Sequence, residues 1–318
     1  MKKFIERLLL FTVSLFFVSI FIDSLLSIKI KEIHEYPGEY EVWNDIYSEE
    51  LDVDVAVYGS SRAWVHINPN QILDSTKLMC YNFGVDGQNF NIQFLRHKEY
   101  IERNRPPKMV ILSIDVFSLA KAKDLYGLNQ FLPYMLWDWD IYQFTRSYNG
   151  FSFLDYVLPL VRYKGKSDLL LKLFSNNEDK VRTNGYLGME EDWNEDFNIA
   201  KNKYENFEIQ IDPELVDLLE EFIKELKRQN ILLTFVYTPE YIEGQDFVKN
   251  REHIFEIYNQ LANKYDIPFI DYSNSFLSYN KSLFYNASHL NITGSTMFTQ
   301  VLISDLKKTF SQINNNQH

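Results

Sequence analysis

The chain has 318 residues, 46% of them hydrophobic, enough to bury one large core or two modest ones. A net charge of −12 argues against a nucleic-acid partner, because no basic face offsets the acid. A single cysteine, Cys80 in the apolar run KLMCYNF, excludes an internal disulfide and any multi-cysteine metal site.

The first predicted element is a membrane span. Lys2, Lys3 and Arg7 precede an uncharged run from Leu8 to Ile22. With Asp23 tolerated near its end, the segment reaches the roughly 20 residues that a bilayer requires. It lacks a small-x-small cleavage site, so residues 1–30 are expected to be a transmembrane anchor rather than a removed signal peptide. The cations before the run outnumber Lys29 and Lys31 after it, which places the N-terminus in the cytoplasm and the main domain outside the cell membrane. Residues 31–52 are acidic, carry Pro37 and Gly38, and read as a linker.

Residues 53–318 alternate apolar runs with helical patterns. VDVAVYG (53–59), KLMCYNFG (77–84), KMVILSID (108–115), ILLTFVYT (231–238) and IPFIDY (267–272) predict five strands. Their near-continuous apolar character suits a mostly parallel sheet covered on both faces. Helices are predicted from about Gln88 to Asn104 and after Asp212-Pro213, where Leu215, Leu219, Phe222 and Leu226 form one stripe. Two more are predicted through Ile254, Tyr258 and Leu261, and from about Thr293 to Phe310 with Asn291 as its cap. This rhythm implies a three-layer α/β/α fold. Residues from about 117 to 209 interrupt it as an aromatic-rich insertion with Trp137, Trp139 and Trp193, whose rings are expected to pack as a core of their own.

The stretch VYGSSRAW carries the chemistry. Ser61 follows the first core strand, so it sits at the carboxyl edge of the sheet where open α/β folds build their sites. A serine hydroxyl needs a base within hydrogen-bond reach. Of the six histidines, His34 lies in the linker, His97 and His253 on helices, and His318 in the tail NNNQH. His66 is too near Ser61 in sequence to be an obvious partner across a cleft. His289, in FYNASHLNITGS, lies in a loop that feeds the last helix and returns to the same edge.

Together, GSSR after the first strand, NFGVDG after the second and NASHLN before the last helix resemble the SGNH/GDSL hydrolase superfamily. The likeness is greatest to its membrane-tethered branch, which includes proteins of alginate O-acetylation and of D-alanyl transfer to teichoic acids. It spans roughly residues 52–118 and 210–310. The resemblance implies Ser61 as nucleophile, His289 as base, and an oxyanion hole built from the Ser61 N–H with Gly84 or Gly87. It implies no cofactor. Two positions depart from the family pattern. The aspartate of Asp-x-x-His is Asn286 here, and Ile114 stands where an oxyanion-hole asparagine is expected.

An asparagine carbonyl can accept the imidazole Nδ1–H but brings no charge to stabilise an imidazolium. A backbone carbonyl, Asp115 or Glu240 is therefore an alternative orienting group. Arg62 is a candidate for holding an anionic substrate group, with a surface ion pair as its structural alternative. The expected activity is that of an anchored serine esterase or O-acyltransferase acting on a cell-surface polysaccharide or acyl ester. A membrane protein that donates the acyl group is an implied partner. The competing reading is a degenerate, non-catalytic glycan-binding or assembly module. An α/β-hydrolase elbow would need Gly-x-Ser-x-Gly, and Ala63 replaces the second glycine. No His-Glu-x-x-His or Cys/His cluster suggests a metal.

Overall fold

The computed structural model describes residues 1–34, 38–173, 181–203 and 207–315. Pro37, His318 and the end of the asparagine-rich tail lie outside the described residues. Helix α1 (Lys2–Lys31) is long and apolar enough to cross a membrane, and its side chains from Phe4 through Phe17 are exposed. Its last turns differ in kind. Asp23 is 2% exposed, and its carboxylate accepts hydrogen bonds from Arg162 Nη2 at 2.6 Å and the Leu160 N–H at 2.7 Å. One turn on, Ser27 Oγ lies 3.0 Å from the same Arg162 nitrogen and 2.8 Å from Tyr163 Oη. The end of α1 is thus fastened to the domain.

The expected linker is also built into the fold. Residues Glu39–Tyr47 form α2, with Tyr40, Trp43 and Ile46 fully buried. Glu39 is clamped between Arg96 Nη2 at 2.5 Å and Arg182 Nη2 at 2.8 Å, and it also accepts the Asp86 N–H. Acidity and Pro37-Gly38 suggested a linker leading into the fold. The α2 acid is instead the counter-ion of two buried arginines.

The sheet follows the predicted order. Strand β1 (Val55–Gly59) leads into α3 (Ser61–His66) and α4 (Pro69–Thr76), then β2 (Cys80–Asn82), α5 (Phe90–Arg103) and β3 (Met109–Ile114). The insertion carries α6 (Trp139–Thr145), α7 (Phe153–Val157), α8 (Ser167–Lys172) and α9 (Asp196–Lys203). The chain returns through α10 (Pro213–Arg228), β4 (Leu232–Tyr237), α11 (Ile242–Gln245), α12 (Arg251–Tyr265) and β5 (Phe269–Asp271). A small antiparallel pair, β6 (Phe284–Asn286) and β7 (His289–Leu290), precedes α13 (Ile292–Asp305) and α14 (Lys307–Asn315). The last predicted helix is therefore two, divided at Leu306.

The five strands are all parallel in the order β2-β1-β3-β4-β5, with Val55 opposite both Cys80 and Met109. Alternate residues serve opposite layers, as the period of a strand requires. Ala56, Tyr58, Val110, Leu112, Phe235 and Tyr237 join the core formed with α2, α5, α10 and α12. Val55, Val57, Met109, Ile111 and Val236 join the core under α3, α4, α13 and α14. On the first face Phe222 of α10 is 1% exposed, its ring edge-on to Tyr58, Phe90, Phe94 and His97. Burial of such a side chain contributes about 1.5–3 kcal/mol. The insertion does not form a separate core. Phe131, Tyr134, Met135 and Tyr156 belong to the same cluster as Trp43 and the sheet.

Burial by itself would push the Glu39 carboxyl up, but the Arg182 and Arg96 guanidiniums and the Asp86 N–H more than offset it and hold it below its usual value near 4.5. A depressed carboxyl contributes stability that is present above its unfolded pKa and is lost as pH falls through the folded one. Glu39→Gln should therefore lower stability at pH 7 by about 3 kcal/mol, the cost of breaking a buried pair. The deficit should shrink as pH falls below about 4.5, read as the difference in thermal midpoint between the two proteins in the same detergent.

Candidate active site

Between β1 and α3 the chain turns sharply at Gly59, whose φ is +148°. A Cβ there would lie 2.6 Å from the Ser113 carbonyl oxygen of β3, so only glycine fits. The next residue, Ser60, caps α3: its Oγ accepts the Arg62 N–H at 3.4 Å and donates to Asp115 Oδ2 at 2.5 Å. The other Asp115 oxygen accepts the Phe117 N–H at 2.7 Å. Asp115 thus fixes the turn that presents Ser61.

Ser61 Oγ lies 2.8 Å from His289 Nε2, across 228 residues of sequence. His289 Nδ1 lies 2.9 Å from Asn286 Oδ1. The same oxygen accepts the Ser288 N–H at 3.0 Å, which assigns it as the amide oxygen rather than the nitrogen. His289 Nδ1 must then be the protonated nitrogen, leaving the Nε2 lone pair for the Ser61 hydroxyl. This is the tautomer that a general base requires. Tyr285 stacks on the imidazole with ring centroids 5.3 Å apart and planes 10° from parallel.

Burial, and then the Arg62 guanidinium nearby, push His289 down to about 3. The ring is therefore neutral at physiological pH, and its protonated form is disfavoured. Asn286 supplies no counter-charge, and the two alternative orienting groups are engaged elsewhere. Asp115 holds Ser60, while Glu240 binds Arg62 at 3.3 Å, Arg251, and Tyr237 Oη at 2.9 Å.

Arg62 is not an open anion hook. It is 4% exposed, its guanidinium bonds Thr238 and Glu240, and it stacks over the Tyr237 ring at 4.3 Å. Gly84 also departs from expectation as an oxyanion donor, because its N–H is donated to Asn82 Oδ1 at 3.0 Å. It serves close packing instead: a Cβ on Gly84 would stand 2.8 Å from the Trp64 nitrogen of α3. Gly87 lines the cavity with Ser61 and His289, and among the described residues its N–H has no acceptor. The Ser61 N–H, in the first turn of α3, likewise has no intrahelical acceptor. Ile114 is 1% exposed and points into the core. Gln88 and Asn89 line the cavity, but their amide nitrogens donate to the Tyr126 and Ala120 carbonyls.

His66 is a site residue that sequence spacing obscured. Its Nε2 accepts the Leu290 N–H at 2.9 Å, and its Nδ1 faces Thr238 Oγ1 at 2.8 Å. The ring is fully buried, and that burial, with Arg62 and His289, holds it well below its ordinary pKa. It does not touch Ser61; it fixes the backbone that carries His289. Position five on from Ser61 was the available signal, since it places His66 on the same short helix.

The cavity beside Ser61 has a volume of about 320 Å³ and is walled by Phe117, Ala120 and Ala122 from the start of the insertion. A second cavity of about 200 Å³ shares Phe117, Ser288 and His289 with it and is lined by Phe197 and Ala200 of α9. Among the described residues no group of three or more His, Cys, Asp or Glu is placed to hold a metal ion.

No family model matches the chain, and no curated protein matches it. Among solved structures it is similar to an acetyl xylan esterase, at 14% identity over 79% of this chain and 99% of that one, with a TM-score of 0.41. It is also similar to a GDSL-like lipase from Bacteroides thetaiotaomicron, at 11% identity over 86% of this chain and 97% of that one, with a TM-score of 0.42. Neither likeness assigns a role to any residue of this chain, and the Ser61–His289 pair stands on its own distances.

A base works only when unprotonated, so reactivity at Ser61 should fall only as pH drops through the His289 pKa. With that value near 3, fluorophosphonate labelling of Ser61 should stay flat between about pH 5 and pH 8. An acid limb near 6.5, the ordinary imidazole value, would contradict this account of the site.

Proposed function

We propose that the chain is a membrane-anchored serine esterase or O-acyltransferase of the SGNH/GDSL type, acting on acyl groups of a cell-surface polysaccharide. The observation that carries the reading is the hydrogen-bonded series Ser61 Oγ, His289 Nε2, His289 Nδ1, Asn286 Oδ1, at 2.8 and 2.9 Å. The parallel order β2-β1-β3-β4-β5 supports it, since it puts the turn after β1 beside the point where strand order reverses. The apolar α1 supports the anchor, and Lys2, Lys3 and Arg7 before its uncharged run favour a cytoplasmic N-terminus. A polymer too large to cross the bilayer suits a domain on the outer side.

In this reaction His289 Nε2 takes the Ser61 proton as Oγ attacks the ester carbonyl carbon. The Ser61 and Gly87 N–H groups face the oxyanion that forms. Collapse of the tetrahedral intermediate breaks the ester bond, and the proton on Nε2 passes to the leaving alcohol. The acyl group is then on Ser61. Water or a sugar hydroxyl, deprotonated by the same nitrogen, releases it as free acid or as a new ester.

Asn286 favours a second reading as a non-catalytic glycan-binding module, because the imidazolium forms without a carboxylate beside it and with Arg62 nearby. Two experiments separate the readings. The full chain in detergent should hydrolyse p-nitrophenyl acetate, and Ser61→Ala should reduce the rate by about 10³ or more. Equal rates in the two proteins would exclude the esterase. Asn286→Asp tests the orienting group. A carboxylate hydrogen-bonded to Nδ1–H favours the charged ring by about 1–3 pKa units. The acid limb of the rate profile should move up by that amount, and turnover near neutral pH should rise by about tenfold.

A further inference from the structure

We infer that the insertion forms a second membrane contact: an aromatic lip of α6 and α7 lies in the bilayer interface beside α1. This rests on α1 crossing the bilayer, and it adds a surface that the anchor alone does not require.

The position comes from the buried pair at the foot of α1. The uncharged run of α1 ends at Ile22, and the next residue, Asp23, binds the Leu160 N–H and Arg162. Leu160 therefore marks the level at which the apolar helix meets the domain. The residues just before it are apolar and face solvent: Phe153 and Leu154 are more than half exposed, and Leu158 is 41% exposed. Trp137 is brought to the same place, since its N–H donates to the Tyr156 carbonyl and its indole N–H donates to the Val157 carbonyl at 3.1 Å. The patch continues through rings. Tyr142 lies 5.7 Å from Phe153 and 4.7 Å from Trp139, which stacks on it. Trp137 and Trp139 are 56% and 64% exposed.

Two features show that the exposure is built rather than incidental. Trp137 and Leu160 hold left-handed backbone, with φ of +63° and +67°, which is costly for bulky side chains. Both are pinned there by the hydrogen bonds just named. The charges are also arranged for a lipid surface. Lys164 and Lys166 follow Tyr163, which bonds Ser27 one helical turn beyond Asp23, so two cations stand close in sequence to the foot of α1. Of the neighbouring acids, Asp155 closes the capping box of α7 with Ser152 and Asp138 caps α6 and bonds Tyr47, while Asp140 stands beside Trp139 in the first turn of α6. Tryptophan and tyrosine favour the interface because an apolar ring and a polar edge are satisfied there together. A rim of exposed rings continuous with a spanning helix fits that environment better than water.

The test uses site-directed spin labels on the full chain in nanodiscs of phosphatidylcholine and phosphatidylglycerol. The one native cysteine, Cys80, is buried, so a label reports only the introduced site. Leu154→Cys and Leu158→Cys each receive a nitroxide, with Leu15→Cys in the middle of α1 as reference. The expected result is loss of accessibility to a water-soluble nickel chelate at Leu154 and Leu158, with oxygen accessibility gained as at Leu15. A water-like response at both lip positions, with Leu15 in lipid, would overturn the lip and leave the anchor standing. A water-like response at Leu15 too would overturn both. Hydrolysis of p-nitrophenyl acetate by the same labelled proteins reports the esterase reading separately.

Discussion

The site depends on one amide oxygen. Asn286 Oδ1 receives two N–H groups, from Ser288 at 3.0 Å and from His289 at 2.9 Å, and the first of these fixes which way the amide points. An asparagine free to flip would offer its NH₂ to the imidazole, and the ring would then turn a protonated Nε2 toward Ser61. The backbone donor removes that freedom. What the carboxylate of the family pattern achieves with charge, this loop achieves in part by geometry: orientation is kept and charge stabilisation is not. The ring is neutral by a wide margin, with burial and Arg62 both opposing its protonation. A proton taken from Ser61 in the proposed reaction is therefore held weakly and returned readily to a leaving group. The kinetic cost falls on the attack step.

The fold makes the approach of Ser61 and His289 rigid. Both sit within a residue of regular structure, Ser61 opening α3 and His289 opening β7. His66, at the far end of α3, ties the two together through the Leu290 N–H. Below it, Thr299 of α13 bonds the His66 carbonyl at 3.2 Å and accepts the Asn68 N–H at 3.0 Å. Ser61 and His289 are thus carried by two elements that share a buried polar seam, in which each polar atom that His66 and Thr299 present is paired. A low-dielectric seam of this kind is stiff because loosening any member leaves a desolvated group without a partner.

Much of this was legible in the sequence, for reasons of period and punctuation. The five strands were visible because both faces of the sheet are covered and their residues are apolar almost without a break. The α10 helix was visible because Asp212-Pro213 caps a stripe that ends at Leu226. Ser61 was visible because it follows a strand signal, and His289 because its loop feeds the last helix at the same edge, where such sheets bind. What was hidden depends on pairing across long separations. Glu39 looks solvated until Arg96 and Arg182 are placed around it, and Arg62 looks available until Tyr237, Thr238 and Glu240 enclose it. Gly84 matched a family position by spacing, yet its N–H is taken by Asn82 two residues earlier. His66 was passed over because short sequence separation argues against a partner across a cleft, and its role is not across the cleft.

The buried ions have a pattern of their own. Arg162 and Arg182 both come from the insertion, and their partners Asp23 and Glu39 both come from the N-terminal helices. Apolar residues of equal volume would hold these elements together as well or better, since a buried pair gains little over good packing. What an ion pair adds is intolerance of the wrong arrangement, because a guanidinium buried without its acid is far more costly than a misplaced methyl. Each pair specifies one seating: Arg162 sets the insertion against the end of α1, and Arg182 sets it against α2 while stacking over Trp64 of α3 at 4.1 Å. The insertion is therefore positioned from both sides, by the helix that leaves the domain and by the helix that presents Ser61. The segment that walls the cavity at Phe117, Ala120 and Ala122 opens this same insertion.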